Sequence, residues 1–179
     1  SYSSSQADLN LAVQISANTR PTAITLPRGT AFTSAVGDTT YTFQTRENFI
    51  GTDDGTGLYQ FLNSTDGVAI PVFEGTEKTK TFFVGDKSDN QVYVIPDITM
   101  DTTTIRVRVF PTASSTTFDT YINIQRAIRI TNDSKFFQIK EVPNGFYEII
   151  FGDGTTTGKA PVAGNKIVID YLSTQGTVA

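Results

Sequence analysis

The chain has no histidine, no cysteine and no tryptophan, and a single methionine among its 179 residues. Without His or Cys there is no imidazole general base, no Ser-His-Asp or Cys-His nucleophile, and no imidazole or thiolate zinc site. Disulfides are excluded as well, so cysteine usage says nothing of the redox compartment. Leucine occurs six times and helix formers are scarce, which excludes a helical bundle or coiled coil and argues against a Rossmann-type fold. Charged residues make up 18% of the chain, below the roughly 25% usual for globular domains. The 14 Lys and Arg against 18 Asp and Glu leave a net charge of −4, so charge offers no case for nucleic acid or membrane as a partner. No run of 18 apolar residues exists, which excludes a membrane-spanning helix. The opening SYSSSQADLN has neither the basic nor the apolar segment of a signal peptide.

What is present favours strands. With 29 Thr, 16 Ile and 13 Val, β-branched residues make up nearly a third of the chain. Leu9, Leu11, Val13 and Ile15 alternate with polar or small residues, as in a half-buried strand. Further strands are predicted over 22–26, 41–45, 58–62, 68–73, 79–84, 92–95, 104–110, 135–140, 146–151 and 166–172. In 104–110, Ile105, Val107 and Val109 are expected to point inward, with Arg106 and Arg108 on a solvated face. Along 166–172, Ile167, Ile169 and Tyr171 alternate with Val168, Asp170 and Leu172. Segment 121–130 fits a short helix about as well as a strand.

Gly- and Asp-rich turns punctuate these runs: Pro27-Arg28-Gly29, the loop tip Gly51–Gly57, Pro143-Asn144-Gly145 and Gly152-Asp153-Gly154. Asn144-Gly145 between two apolar runs is a strong hairpin signal. The spacing predicts an all-β chain: an antiparallel sandwich or barrel-like fold with long loops and at most one short helix. It is read as one β-rich region, 1–179, with a candidate boundary between two subdomains near 84–90. The start lacks an initiator Met and the end follows a strand-like run, so a fragment excised from a longer chain is expected.

Three acidic turns invite a metal reading: Thr52-Asp53-Asp54-Gly55, Phe151-Gly152-Asp153-Gly154 and Asn132-Asp133-Ser134. None has the alternating acids and distal Glu of a calcium loop, so turn formation explains them better. Glu141 and Glu148 flank the Asn144-Gly145 hairpin and are the candidate pair for a glycosidase, which needs two carboxylates and no His. Chance proximity among 18 acids and the lack of Trp weigh against it. Phe43, Phe49, Phe61, Phe73, Phe136, Phe146 and Phe151 read as core.

The last third carries the most specific text. KFFQIKEVPNGFYEIIFGDGTTTGKAPVAGNKIVIDYLSTQG resembles a pattern of the baseplate J-like, or baseplate wedge, proteins of contractile-tailed bacteriophages. The likeness falls on Gln138, Glu141, Gly145, Tyr147, Phe151, Gly152, Asp153, Gly154, Gly158, Lys159, Pro161, Gly164, Asn165, Tyr171 and Gly176. ITLPRGTAF, YTFQTRENF and PDITMDTTTIRVRVF are similar to earlier parts of the same pattern, in the expected order. Thr155-Thr156-Thr157 departs from it, being longer than the family's spacer.

The resemblance implies a non-enzymatic structural component: a wedge subunit acting through protein–protein assembly, situated in the virion tail baseplate and assembled in the host cytoplasm. Its implied partners are other baseplate subunits, with a second copy of itself as a further option. No cofactor, metal or small-molecule substrate is expected. Gly29, Gly145, Gly152, Asp153 and Gly154 are expected to shape turns, with φ > 0 at Gly145, Gly152 and Gly154. The alternative is a β-sandwich module of a phage tail that binds glycans or a receptor. An enzyme ranks last.

Overall fold

The computed structural model describes residues 2–63, 67, 69–127 and 129–175. The chain is all-β, with 51% of residues in strands and no helix of seven or more residues among those described; its antiparallel sheets include a half-barrel and a nearly closed barrel. It forms two compact units, one built on Ser4–Thr76 with Thr174, the other on Glu77–Ser173. Residues 84–90 lie inside the second unit and make a turn with a 3-10 segment at Ser88–Asn90. Val68 and Gly176, named above as a strand end and a family-like glycine, fall outside the described residues.

The first unit holds β1 (Gln6–Leu9), β2 (Leu11–Gln14), β3 (Ala23–Leu26), β4 (Ala31–Val36), β5 (Thr39–Gln44), β6 (Phe49–Asp53), β7 (Leu58–Phe61) and β8 (Ile70–Glu74). They make two four-stranded sheets, ordered β1-β8-β5-β4 and β2-β7-β6-β3. The alternating run expected to be one strand is therefore two. It breaks at Asn10, pairing Leu9 with Ile70 in one sheet and Leu11 with Phe61 in the other. The period survives because Leu9 and Leu11 both pack on the cluster of Phe49, Phe61 and Ile70. The Gly51–Gly57 loop tip is shorter than expected, since Gly51–Asp53 belong to β6. Gly51 is there for packing: a Cβ would come within 3.2 Å of the Phe61 ring.

The second unit contains most of β9 (Thr76–Phe83), then β10 (Tyr93–Ile95), β11 (Met100–Phe110), β12 (Asp119–Asn123), β13 (Phe136–Val142), β14 (Phe146–Phe151) and β15 (Lys166–Ser173). They form one sheet, ordered β10-β14-β13-β12-β11-β15-β9. β10 with β14, β13 with β14, β11 with β12 and β11 with β15 pair antiparallel, while β12 meets β13 in a short parallel contact. Within the open segment 121–130, residues 121–126 form the end of β12 and a 3-10 turn at Ile124–Arg126, capped by Asn123, and residue 128 lies outside the described residues. β11 runs longer than predicted because a bulge between Asp101 and Arg106 absorbs the Thr102-Thr103-Thr104 run; Asp101 Oδ1 there accepts the Thr103 N–H at 2.9 Å.

β15 lies between β11 and β9 and is buried on both faces. Its Ile167, Ile169 and Tyr171 join Val107, Val109, Tyr121, Phe137 and Ile149 in the core. Edge-to-face rings complete it, with Tyr93 and Tyr121 each set against Phe151, at 5.5 and 5.4 Å between centroids. Phe82 of β9 meets Tyr93 of β10 at 5.4 Å, which brings the two edges of the sheet together.

Candidate functional site

Gly29, Gly145, Gly152, Asp153 and Gly154, expected to shape turns, all lie between strands. Pro143–Gly145 is a three-residue loop that closes β13 on β14, with Val142 opposite Phe146. Asn144 and Gly145 both sit at φ +73°, and Asn144 is the one non-glycine residue with positive φ among those described. Asparagine and glycine are the types that tolerate this region. Gly29, at φ +82°, turns the chain from β3 into β4 and donates its N–H to Thr45 O at 2.9 Å.

Asp153 organises the turn after β14. Its Oδ1 accepts the N–H groups of Thr155, Thr156 and Thr157 at 2.9, 2.8 and 2.8 Å, and Oδ2 accepts the Thr156 hydroxyl. The Thr156 hydroxyl and these backbone donors hold the carboxyl well below the usual range. The Thr155-Thr156-Thr157 segment is thus what the carboxylate binds.

Gly154 has positive φ as expected, at +78°, whereas Gly152 does not belong to the positive-φ glycines. The reason for glycine at 152 is space. A Cβ there would lie 2.4 Å from the Thr157 carbonyl oxygen and 2.6 Å from Gly158 C. The turn folds back on its own first residue. Gly158 is tight in the same way, its Cβ position lying 2.4 Å from the Phe136 ring.

The Asp53-Asp54-Gly55 turn behaves alike. Asp53 Oδ1 accepts from the Gly55 and Gly57 N–H groups, both at 2.9 Å, while Oδ2 takes the Arg20 guanidinium at 2.6 Å. Asp54 Oδ1 accepts the Thr56 N–H at 2.8 Å and the Thr56 hydroxyl at 2.6 Å. The Arg20 bond chiefly lowers the pKa of Asp53, and the Thr56 hydroxyl that of Asp54. No group of three or more potential metal ligands occurs among the described residues.

Glu141 and Glu148 do not converge. Glu141 is opposite Tyr147 and Glu148 opposite Lys140. Because strand side chains alternate between faces, the two carboxylates point to opposite sides of the sheet. A cleft of about 640 Å³ opens beside β11, β12 and β13, with Tyr121, Phe137 and Tyr147 in its wall and Glu141 its one carboxylate among the described lining residues. Burial raises the phenol pKa of both tyrosines.

Arg106 and Arg108, expected on a solvated face, lie on aromatic rings. The Arg108 guanidinium is 5.2 Å from the Phe118 centroid and 5.6 Å from that of Phe110, and it pairs with buried Asp170 at 2.9 Å. Arg106 lies 5.8 Å from Phe118, and Lys166 4.4 Å from Phe110. Phe118 sits in the Ser/Thr-rich loop after β11, where no periodicity announces a packing partner. No family model matches the chain, and no curated protein sequence matches it.

Proposed function

We propose that the chain is a structural, non-enzymatic part of a contractile phage tail baseplate, belonging to a wedge subunit that works by protein–protein assembly. It would reside in the virion baseplate after assembly in the host cytoplasm, bound to other baseplate subunits. The likeness of 135–176 and of the three earlier segments to the wedge pattern is the source of the reading. One observation carries it further: Asp153, Gly152 and Gly145 of that pattern serve the chain's own backbone. Asp153 has both carboxylate oxygens engaged by the three threonines that follow it. Gly152 makes room for the returning turn, and Gly145 closes the hairpin. Residues used in this way build a rigid frame that presents surface to neighbours. Permanent contacts of that kind bury on the order of 2,000 Å² or more.

The test is cryo-electron microscopy of the tail particle that carries the chain, decorated with an antibody fragment raised against residues 1–179. Fragment density in six-fold array around the tail hub is the expected result. Density at the tips of fibres would overturn the reading in favour of a glycan- or receptor-binding module, and an undecorated particle would overturn both.

A further inference from the structure

The hairpin of β4 and β5 stands apart from the rest of its sheet. β4 is an edge strand, and β5 pairs with β8 only at Phe43 and Gln44. The part beyond is a two-stranded ribbon, and every residue from Thr33 to Tyr41 is exposed. Gly37, at φ +61°, occupies the first of two loop positions, where a tight hairpin turn favours glycine. A lone two-stranded ribbon is marginal in water.

The edge of this ribbon is unprotected. Ala31–Val36 reads AFTSAV, with no charge and no proline, the two devices that commonly keep sheet edges from pairing. By contrast, β9 at the edge of the other unit's sheet carries Glu77, Lys78 and Lys80. In an antiparallel ladder, alternate residues turn N–H and C=O away from the partner. Val36 and Thr39 close the two-residue loop opposite each other, so the outward residues of β4 are Ala31, Thr33 and Ala35.

We propose that this edge pairs with the same edge of a second copy of the chain, antiparallel about a two-fold axis through Ser34. In this register outward groups meet outward groups: Thr33 bonds Ala35 of the other copy, and the reverse, while the two Ser34 residues face each other. Phe32 then opposes Val36 of the second copy. That is an aromatic–β-branched pair of the kind that stabilises sheets, and it covers a valine that is 65% exposed. Self-pairing needs a strand that puts no like charges opposite one another, and AFTSAV meets that condition where the edge of β9 does not. The contact is small, so the dimer is weak and reversible. The inference is independent of the baseplate reading, since it uses only the hairpin.

Sedimentation velocity of the 179-residue chain, from micromolar to millimolar, is the test. The expected result is a monomer–dimer equilibrium, with amide exchange slowing at Thr33 and Ala35 as concentration rises. Ser34→Lys and Ser34→Asp each place like charges on the axis and are expected to raise the midpoint concentration about fivefold. An equal mixture of the two variants restores association. Both substitutions are at an exposed site, and a thermal melt at low concentration checks that the fold is intact. A chain that stays monomeric throughout overturns the proposal, as does a dimer unaffected by either variant or a mixture that fails to recover.

Discussion

Tyr171 donates its phenolic hydrogen to Asp97 Oδ2 at 2.9 Å, tying β15 to the turn that follows β10. Lys78 reaches the same oxygen at 3.0 Å, and Thr99 donates its N–H to Oδ1 at 2.9 Å. Burial by itself would raise the Asp97 pKa, but the bonds from Thr99, Lys78 and Tyr171 outweigh it and hold the carboxyl at about 2 against an ordinary 3.8. For Tyr171, burial first and then the Asp97 bond push the phenol well above its usual range.

A depressed carboxylate stabilises the fold fully above its unfolded-state pKa and loses that contribution as pH falls toward the folded value. Asp97 therefore adds acid sensitivity between about pH 4 and pH 2. Asp97→Asn is expected to cost about 1–2 kcal/mol at neutral pH, and the gap to the unsubstituted chain should narrow across that window. Urea midpoints at several pH values measure it; a constant gap down to pH 2 refutes the account.

Gly145→Val puts a β-branched residue at φ +73°. The nearest atom to a new Cβ is Ile98 Cγ2 at 3.7 Å, so the cost is backbone strain and not collision, about 1–3 kcal/mol. Asn144→Gly should be near neutral. Equal losses from both in chemical unfolding would show that backbone sign is not the cause.

At Gly152 the expectation reverses. Even Gly152→Ala drives a methyl into the Thr157 carbonyl and is expected to cost about 2–4 kcal/mol. An alanine variant as stable as the parent would contradict the close approach.

Asp153→Ala releases three threonine N–H groups and a hydroxyl. It is expected to lower Tm by about a few degrees, while calcium or a chelator leaves the parent's melting unchanged. A calcium-dependent rise in Tm that disappears in Asp153→Ala would instead make this turn a metal site.

Thr174→Val removes the hydroxyl that donates to Glu74 Oε2 in the first unit, where both residues are buried. A carboxylate stripped of a donor in such a place costs about 1–3 kcal/mol. Differential scanning calorimetry would register it; an unchanged melting profile would show that Glu74 is adequately solvated without Thr174.

Local chemistry made much of this fold legible. Asn144-Gly145 announced a hairpin because few residue types accept its backbone, and FYEIIF could hardly be other than a strand. Contacts distant in sequence were not legible. AFTSAV lacks a bulky alternating pattern, so β4 went unread, and Arg108 looked solvated because Phe118 reaches it from an aperiodic loop. Glu141 and Glu148 looked like a possible pair until register put them on opposite faces. The role of Gly152 was misread for a related reason. Sequence suggests which residues tolerate unusual φ, but not where a chain passes close to itself.

The interruption at Asn10 has a mechanical consequence. One continuous stretch of backbone serves as the rim of two sheets, with Leu9 laced into one and Leu11 into the other. At this edge, a sliding load that tried to part those sheets would be carried across a single residue, through covalent bonds and not through packing alone. The first unit is thereby stitched against shear at its leading end.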